Sequence, residues 1–582
     1  MSELILALHT NFHDASAALF EDYELRAAVQ LERLTRHKGD GRQHPDLAID
    51  EVLAIAGATR RDIDAVALGR MLFPFEYFRN IRGTRWLHWQ YRRHIQGNPR
   101  RHMMAEILRY RGADDAVFDA QKFRRASGLR ADTRVFFYNH HESHALASLF
   151  YTPWDDALLV TADAGGDTVN YSHRVFADGK LTTIYGGEEC RFVPQPVDSV
   201  GEAYMAMTAA LGFIPLRHEG KLTGLAAFGQ PVLAERIARR FPVDEAGRVF
   251  SDFASVAEMH GFIRACAAEV SREDAAASIQ QVLEDVMLRS VSRLVARHGA
   301  RRLGVAGGVF ANVRLNRVLA EQLPLEQIFI FPAMGDEGTA AGGALCYLKQ
   351  RDGLAHWLTQ RRELRDVYLG RDYTNEIDAT LATTAGVRRT GEAPVEGAAR
   401  RLHAGEIGAI YTGRMEYGPR ALGARSILAN PSRRETHDLL NRRLARTEFM
   451  PFAPVIRAER AAEVFDVDRL NAYACRFMTI TCNVKPHWRE RIAAVVHVDG
   501  SARPQVIARD ANPLYYDLLA AFERESGLPA LVNTSFNVHE EPIVNTPAEC
   551  ARALTDGRIE FIVTTQGIYE RTTPSPFEAS AD

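Results

Sequence analysis

The chain switches repeatedly between apolar runs with strand spacing and stretches with helical spacing, and its polar chemistry sits at the switch points. LILALHT (4–10) is followed by the polar NFHD and by two apolar runs in SAALFEDYELRAAV, which predicts strand, tight polar turn, strand and strand. From Asp46 to Ala58 the spacing is helical, and DAVALG (64–69) predicts a short buried strand. VFFYNHHESHALASLFYT predicts a strand and then a helix, and DALLVTADAGGDTVNYSH predicts strand, glycine turn, strand. After an α-rich middle, RRLGVAGGVFANVRLNRVL predicts strand, glycine turn and helix, and FIFPAMGDEGTAAGGALCYL repeats the theme. The strands thus end in small or acidic residues, where nucleotides and metals sit in α/β folds.

Between about 362 and 394 periodicity fades and polar residues dominate, which places a domain boundary there: a first domain over 1–370, a linker over 371–390 and a second domain over 391–582. The second domain reads as mixed α/β, with polar motifs following strands in EIGAIYTG, EYGPRALGARSILAN, PFAPVIRAE, VVHVDGSARPQ and LPALVNTSFNVHEEPIV. No internal repeat is visible. Residues from about 75 to 130 stand apart, rich in arginine and aromatics. They are either a basic surface for a polyanion or charged acceptor, or an inserted helical hairpin with Trp86, Trp89 and Tyr91 packed inward.

Composition narrows the classes. At 582 residues two large domains, or one with insertions, are expected. A formal net charge of -3 argues against a dedicated nucleic-acid binder, which carries a clear positive excess. The opening MSELILALHT is no export signal, and nowhere do 18 apolar residues run together, so no membrane span and a cytoplasmic location are expected. The six cysteines include no C-x-x-C pair and are expected as buried thiols.

Three groups of residues carry chemistry. His140 and His144 in NHHESHA are four apart, so on a helix they share a face and can share a metal. Asp163 in TADAGGD and Asp336 in MGDEG follow strands and would complete a two-imidazole, two-carboxylate set suited to iron(II), manganese or zinc rather than calcium. Such a set can leave positions open for phosphate or carbonyl oxygens, as a Lewis acid requires. The glycine turns DAGGD (Gly165, Gly166) and AGGVFAN (Gly307, Gly308, Asn312), with Lys221 in GKLTGLAAFG between them, either admit a nucleotide's phosphates and ribose or are simple structural turns. In the second domain Arg414, Arg420 and Arg425 surround glycines, Arg503 lies in GSARPQ, and NTSFN supplies Thr534, Ser535 and Asn537. Guanidinium forks bind phosphate bidentately; alternatively these arginines pair with local acids such as Glu416 and Asp499.

The run of motifs from FHDASAAL through ERLTRHK, HHESHA, TADAGGD, GKLTGLAA, AGGVFAN, GDEG, GPRALGARS, PFAP, VVHVDGSARPQ and NTSFN to EEPIV resembles the NodU/CmcH family of O-carbamoyltransferases, among them tobramycin carbamoyltransferase and the nodulation and cephem-modifying enzymes. The resemblance implies an amino-terminal actin-like ATPase (ASKHA) domain followed by a YrdC-like α/β domain. It further implies ATP with magnesium, a divalent metal (iron(II), or else manganese or zinc), carbamoyl phosphate as donor and a small-molecule hydroxyl acceptor. The YrdC-like domain would make carbamoyl-adenylate, which crosses an internal space to the metal-bearing domain, where the hydroxyl attacks it. By motif, His140, His144, Asp163 and Asp336 match metal ligands. Arg420, Arg425, Arg503 and Ser535 match the adenylate-forming site, and Gly307, Gly308 and Asn312 match a nucleotide-contacting turn. His13 and Asp14 sit where an acceptor hydroxyl could be oriented or deprotonated. The stretch NRRLARTEFM before PFAP departs from the family pattern: Arg446 and Phe449 match, whereas Leu444, Thr447 and Met450 replace a lysine, a glutamate and an arginine. Arg443 is the candidate to supply the missing cation.

Rival functions are a threonylcarbamoyl transferase acting on tRNA through the basic stretch, and a non-catalytic ATP-binding scaffold. Near-neutral charge and the GPRALG and NTSFN motifs stand against the first. Hydrogenase-maturation carbamoyltransferases need paired-cysteine zinc fingers, which this sequence lacks.

Overall fold

Ten strands of the amino-terminal half carry one connection pattern twice. In the computed structural model, which describes residues 2–11, 13–41, 44–69, 77, 118–190, 195–445 and 451–573, the chain divides into two units. The first comprises residues 1–31 and 39–363; the second comprises 32–38 and 364–582.

In the first unit, β1 (Leu4–His9), β2 (Ser16–Glu21), β3 (Glu24–Gln30), β4 (Ala65–Gly69) and β5 (Arg134–Tyr138) form a sheet in the order β3-β2-β1-β4-β5. The hairpin pairs are antiparallel, and β1, β4 and β5 run parallel. The next five strands are β6 (Ala157–Gly166), β7 (Val169–Ala177), β8 (Lys180–Tyr185), β9 (Arg302–Ala306) and β10 (Gln327–Ile330). They repeat the plan in the order β10-β9-β6-β7-β8, again two antiparallel pairs followed by two parallel ones. This doubled plan is the actin-like ATPase architecture, as expected. It leaves no sequence repeat because burial requires only apolar character: AVALG of β4 and RLGVA of β9 fill equivalent central places with different residues.

Helix α1 (His140–Phe150) follows β5 and packs on α2 (Thr339–Asp352), where a Cβ at Gly342 would overlap the Ser143 backbone. Asn139 caps α1 by accepting the Glu142 N–H at 2.8 Å, which fixes where the helix, and so the histidine pair, begins.

The second unit holds β11 (Tyr368–Asp372), β12 (Val387–Arg389), β13 (Gly408–Tyr411), β14 (Arg414–Glu416), β15 (Arg425–Ala429), β16 (Ala453–Arg457), β17 (Cys482–Asn483), β18 (Ser501–Ala502), β19 (Gln505–Ile507), β20 (Ala530–Ser535), β21 (Phe561–Val563) and β22 (Ile568–Arg571). Eight form a mixed sheet in the order β12-β22-β21-β13-β15-β20-β16-β19.

Two expectations change. Residues 371–390, expected as a linker, carry the end of β11, the helix Thr374–Thr383 and β12, and the boundary falls after Glu363 rather than at 370. The helix buries only Ile377, Asp378 and Leu381, and β12 is an edge strand, so neither leaves a strong apolar period. Residues 32–38 belong to the second unit, although β3 on one side and Gly39 on the other belong to the first.

Residues 78–117 of the basic stretch, with Trp86, Trp89 and Tyr91, lie outside the described residues, as do Arg446, Thr447, Phe449 and Met450. All six cysteines are buried thiols, and the fold brings Cys475 and Cys482 to 3.5 Å. Among the described residues no helix is long and apolar enough to cross a membrane.

Candidate active site

His140 and His144 lie one turn apart on α1 with ring centroids 4.8 Å apart, facing the end of β6 and the turn before α2. Their Nε2 atoms come within 3.2 and 3.4 Å of Asp163 Oδ2, and within 3.6 and 4.0 Å of Asp336 Oδ1. One ligand atom from each of the four residues falls within 4.8 Å of all the others, and three of the four side chains are fully buried. His144 decides the fit: it is 1% exposed, and neither ring nitrogen has a hydrogen-bond partner. An imidazole orphaned beside two carboxylates fits a cation better than it fits a packed core.

The surroundings reinforce this. Asp163 Oδ1 accepts the Gly308 N–H, and a Cβ at Gly307 (φ +105°) would overlap the Ala162 carbonyl, so the AGG turn folds around Asp163. Burial opposes a charge on His140, yet the Asp336 and Asp163 carboxylates raise its pKa to about 9. Burial prevails at His144, which drops to about 4. Asp336, although buried, is held well below the usual carboxylate range by His140, His9, His13 and His144.

His13 Nδ1 sits 3.0 Å from Asp14 Oδ2, and its Nε2 lies 3.9 Å from Asp336 Oδ2. Burial lowers its pKa, but the Asp14 hydrogen bond and the Asp336 and Asp14 charges outweigh that and raise it to about 9. Asp14 takes a left-handed backbone (φ 55°), with its N–H donated to the Gly39 carbonyl.

Four residues of this cluster went unread in the sequence. Asn11 Nδ2 donates to Asp336 Oδ2 at 3.1 Å, and His9 Nε2 lies 3.5 Å from the same oxygen. Thr339 Oγ1 pairs with His9 Nδ1 at 2.8 Å, and Asp167 Oδ2 accepts the His140 N–H at 2.7 Å. His9 and Asn11 close the apolar run LILALHTN, a strand-end position of the same kind that pointed to Asp163 and Asp336.

The glycine turns divide. Gly165 and Gly166 are the last residues of β6, and the turn is made instead by Asp167 and Thr168, both at positive φ. Gly166 has a different use: a Cβ there would overlap the His140 ring. Asn312 caps the helix Val313–Gln322 and joins a buried polar group, donating to Gln280 Oε1 at 2.8 Å, which also accepts from Tyr204. Lys221 is buried in the helix Glu219–Leu225.

In the second unit the loop from Gly418 to Ser426 is held from every side. Glu416 Oε1 accepts the N–H groups of Leu422, Ala424 and Arg425 at 2.7–3.1 Å. Tyr368 and Gln505 both donate to the Leu422 carbonyl, Asn512 to that of Gly423, and Asn533 to that of Ala421. Arg425 is fully buried, its guanidinium donates to the carbonyls of Thr412, Ala424 and Gly413, and it stacks 3.7 Å from the Tyr411 ring centroid. Both terminal nitrogens are thus given to backbone carbonyls of the loop and of the strand end before it. Arg414 likewise donates to the Gly370 and Leu369 carbonyls, tying β14 to β11. Arg443 is buried and paired with Glu560, so its charge is already balanced, and Leu444 beside it is also buried.

Arg420 and Arg503 are half-buried, and the Gln505–Leu422 hydrogen bond ties their two segments together two residues from each. Thr534 and Ser535 end β20, where Ser535 pairs with Ser426, and Asn537 donates to the Val538 and Glu541 carbonyls.

Family models described as Carbamoyltransferase N-terminus and Carbamoyltransferase C-terminus match residues 4–345 and 399–571. The chain belongs to the carbamoyltransferase family. It is 31% identical to nodulation protein NolNO of Sinorhizobium fredii over 98% of this chain and 80% of that protein. It is 27% identical to nodulation protein U of the same species over 75% and 78%. Among solved structures, full-length HypF in its phosphate- and nucleotide-bound form aligns with 61% of this chain and 47% of its own at 12% identity and a TM-score of 0.34. The carbamoyltransferase models cover both groups of residues described above, His140 to Asp336 in the first and Arg420 to Asn537 in the second.

Proposed function

We propose that this carbamoyltransferase is an ATP-dependent O-carbamoyltransferase whose two half-reactions use its two units. In the second unit, water cleaves carbamoyl phosphate to carbamate and phosphate. The carbamate oxygen then attacks the α-phosphorus of ATP, pyrophosphate leaves, and carbamoyl-adenylate results. Arg420 and Arg503, carried on the braced loop and the segment tied to it, neutralise the phosphate charge that builds as pyrophosphate departs. Ser535 and Thr534 at the end of β20 add hydroxyl donors.

In the first unit an acceptor hydroxyl attacks the carbamoyl carbon, its proton leaves, and AMP departs. His13, oriented through Nδ1 by Asp14, is positioned to hold that proton at Nε2. A divalent cation held by His140, His144, Asp163 and Asp336 would act as a Lewis acid on a carbonyl or phosphate oxygen and offset the carboxylate charge that keeps His13 protonated.

The observation that carries this reading is the pairing, in one member of the family, of a four-donor His/Asp cluster with a rigid arginine-bearing loop. Carbamoyl-phosphate-dependent release of pyrophosphate from ATP tests it, with labelled carbamoyl phosphate and a panel of hydroxyl compounds to find the acceptor. Release that ignores carbamoyl phosphate would rule it out.

A further inference from the structure

The motif ERLTRHK (32–38) has no part in the chemistry assigned so far, yet it is the one piece of the first 363 residues that belongs to the second unit. Building on the adenylation reading above, we propose that Arg33 and Arg36 are positioning residues of the adenylate-forming site, which the chain completes with a segment sent from its first forty residues.

Arg33 is 4% exposed, and its Nη2 donates to the Gly418 carbonyl at 2.8 Å, while Nη1 pairs with Glu32 at 3.0 Å. Gly418 opens the GPRALG loop two residues before Arg420 and takes φ 111°, a conformation reserved for glycine. Arg36 donates Nη1 to the Ile543 carbonyl at 2.8 Å and Nη2 to that of Pro542 at 2.7 Å, with Glu549 3.3 Å away. Ile543 packs in a buried cluster with Ala421 and Met415, the neighbours of Arg420 and Glu416. One guanidinium therefore fixes the chain entering the loop, and the other fixes the wall behind it.

Each guanidinium donates to backbone carbonyls and has an acid of its own beside it, Glu32 for Arg33 and Glu549 for Arg36, which suits holding backbone and not binding a phosphate. Arg36 keeps a left-handed backbone (φ 61°), a cost that a non-glycine residue bears only where its surroundings over-determine it. The segment also has no slack. Leu31 N–H donates to the Ala15 carbonyl, and Gly39 and Asp40 carbonyls accept from Asp14 and Ala15, so both flanks are anchored within the first unit.

The test uses the full-length protein and the carbamoyl-phosphate-dependent exchange of labelled pyrophosphate into ATP, expressed per folded molecule by far-UV circular dichroism. Arg33→Lys and Arg36→Ala are expected to lower kcat for exchange by about 10- to 100-fold, the scale of a misplaced reacting group, with KM for ATP within about threefold. Arg36→Lys should recover part of the loss, because a lysine can replace one of the two bonds. Exchange per folded molecule equal to wild type in all three variants overturns the inference. Wild-type protein without any exchange overturns the adenylation reading itself, and this inference with it.

Discussion

In the first unit His140, His144, Asp163 and Asp336 aim their polar heads at one point, whereas in the second Arg414 and Arg425 aim theirs at backbone carbonyls. The first cluster is unfinished: the buried His144 imidazole has no hydrogen-bond partner, and two adjacent carboxylates push His140 up to about 9. The second is finished structurally, with the loop carbonyls and N–H groups already paired and Arg420 carried on the result. On the function proposed above, a motif residue is thus a reacting group in one place and a holder in another. Chemistry alone does not tell them apart; what the head group touches does.

The largest test of this contrast is on the second unit's presented arginines. Arg503→Ala and Arg420→Ala should each cut carbamoyl-phosphate-dependent pyrophosphate release by about 100-fold or more while the folded state survives. Release within a few-fold of wild type would place the adenylating site elsewhere. Arg425→Leu should act through folding instead. It strands the Thr412, Gly413 and Ala424 carbonyls and is expected to remove about 4 kcal/mol of stability in denaturant titrations, with KM for ATP unchanged in the folded fraction. A folded variant with a raised KM would return Arg425 to the ligand.

Gly166→Ala should perturb only the first unit, because its Cβ displaces the His140 ring. Divalent-metal affinity, read by equilibrium dialysis, is expected to fall by about 10- to 100-fold, and pyrophosphate release to hold. Unchanged affinity would detach His140 from the metal.

The smallest effect contrasts two buried carboxylates. Asp336 is held down by its imidazoles, while burial pushes Asp198 up to about 6 despite a hydrogen bond from Asn170. With a folded pKa above its unfolded value, Asp198 lets stability fall as pH rises from about 4 to about 6, and the loss is constant above that. Asp198→Asn should therefore gain about 2–3 kcal/mol at pH 8 relative to its effect at pH 4. An equal shift at both pH values would show that the group is not titrating in this range.

Much of this was legible because strand ends are legible. His140 and His144 follow from i,i+4 spacing after an apolar strand, and Asp163 and Asp336 from acids that close apolar runs; the fold brings all four together. His9 and Asn11 met the same criterion at the end of LILALHTN but were read as strand and turn, since neither carries a carboxylate to draw attention. The stacking of Arg425 was not legible, because an arginine among glycines looks aimed at a ligand; the Tyr411 face that receives it lies fourteen residues upstream, and only pairing of β13 with β15 brings it there. The transfer of residues 32–38 to the second unit depends on contacts with Gly418 and Ile543, hundreds of residues away, and no local pattern encodes them.

The measurement that bears most directly on a division of labour is the His140→Ala/His144→Ala protein, assayed together for bound divalent metal and for carbamoyl-phosphate-dependent pyrophosphate release. Metal lost to background with release kept within about threefold of wild type is the predicted result, because the two clusters lie in separate units. Release that falls in step with the metal would contradict it.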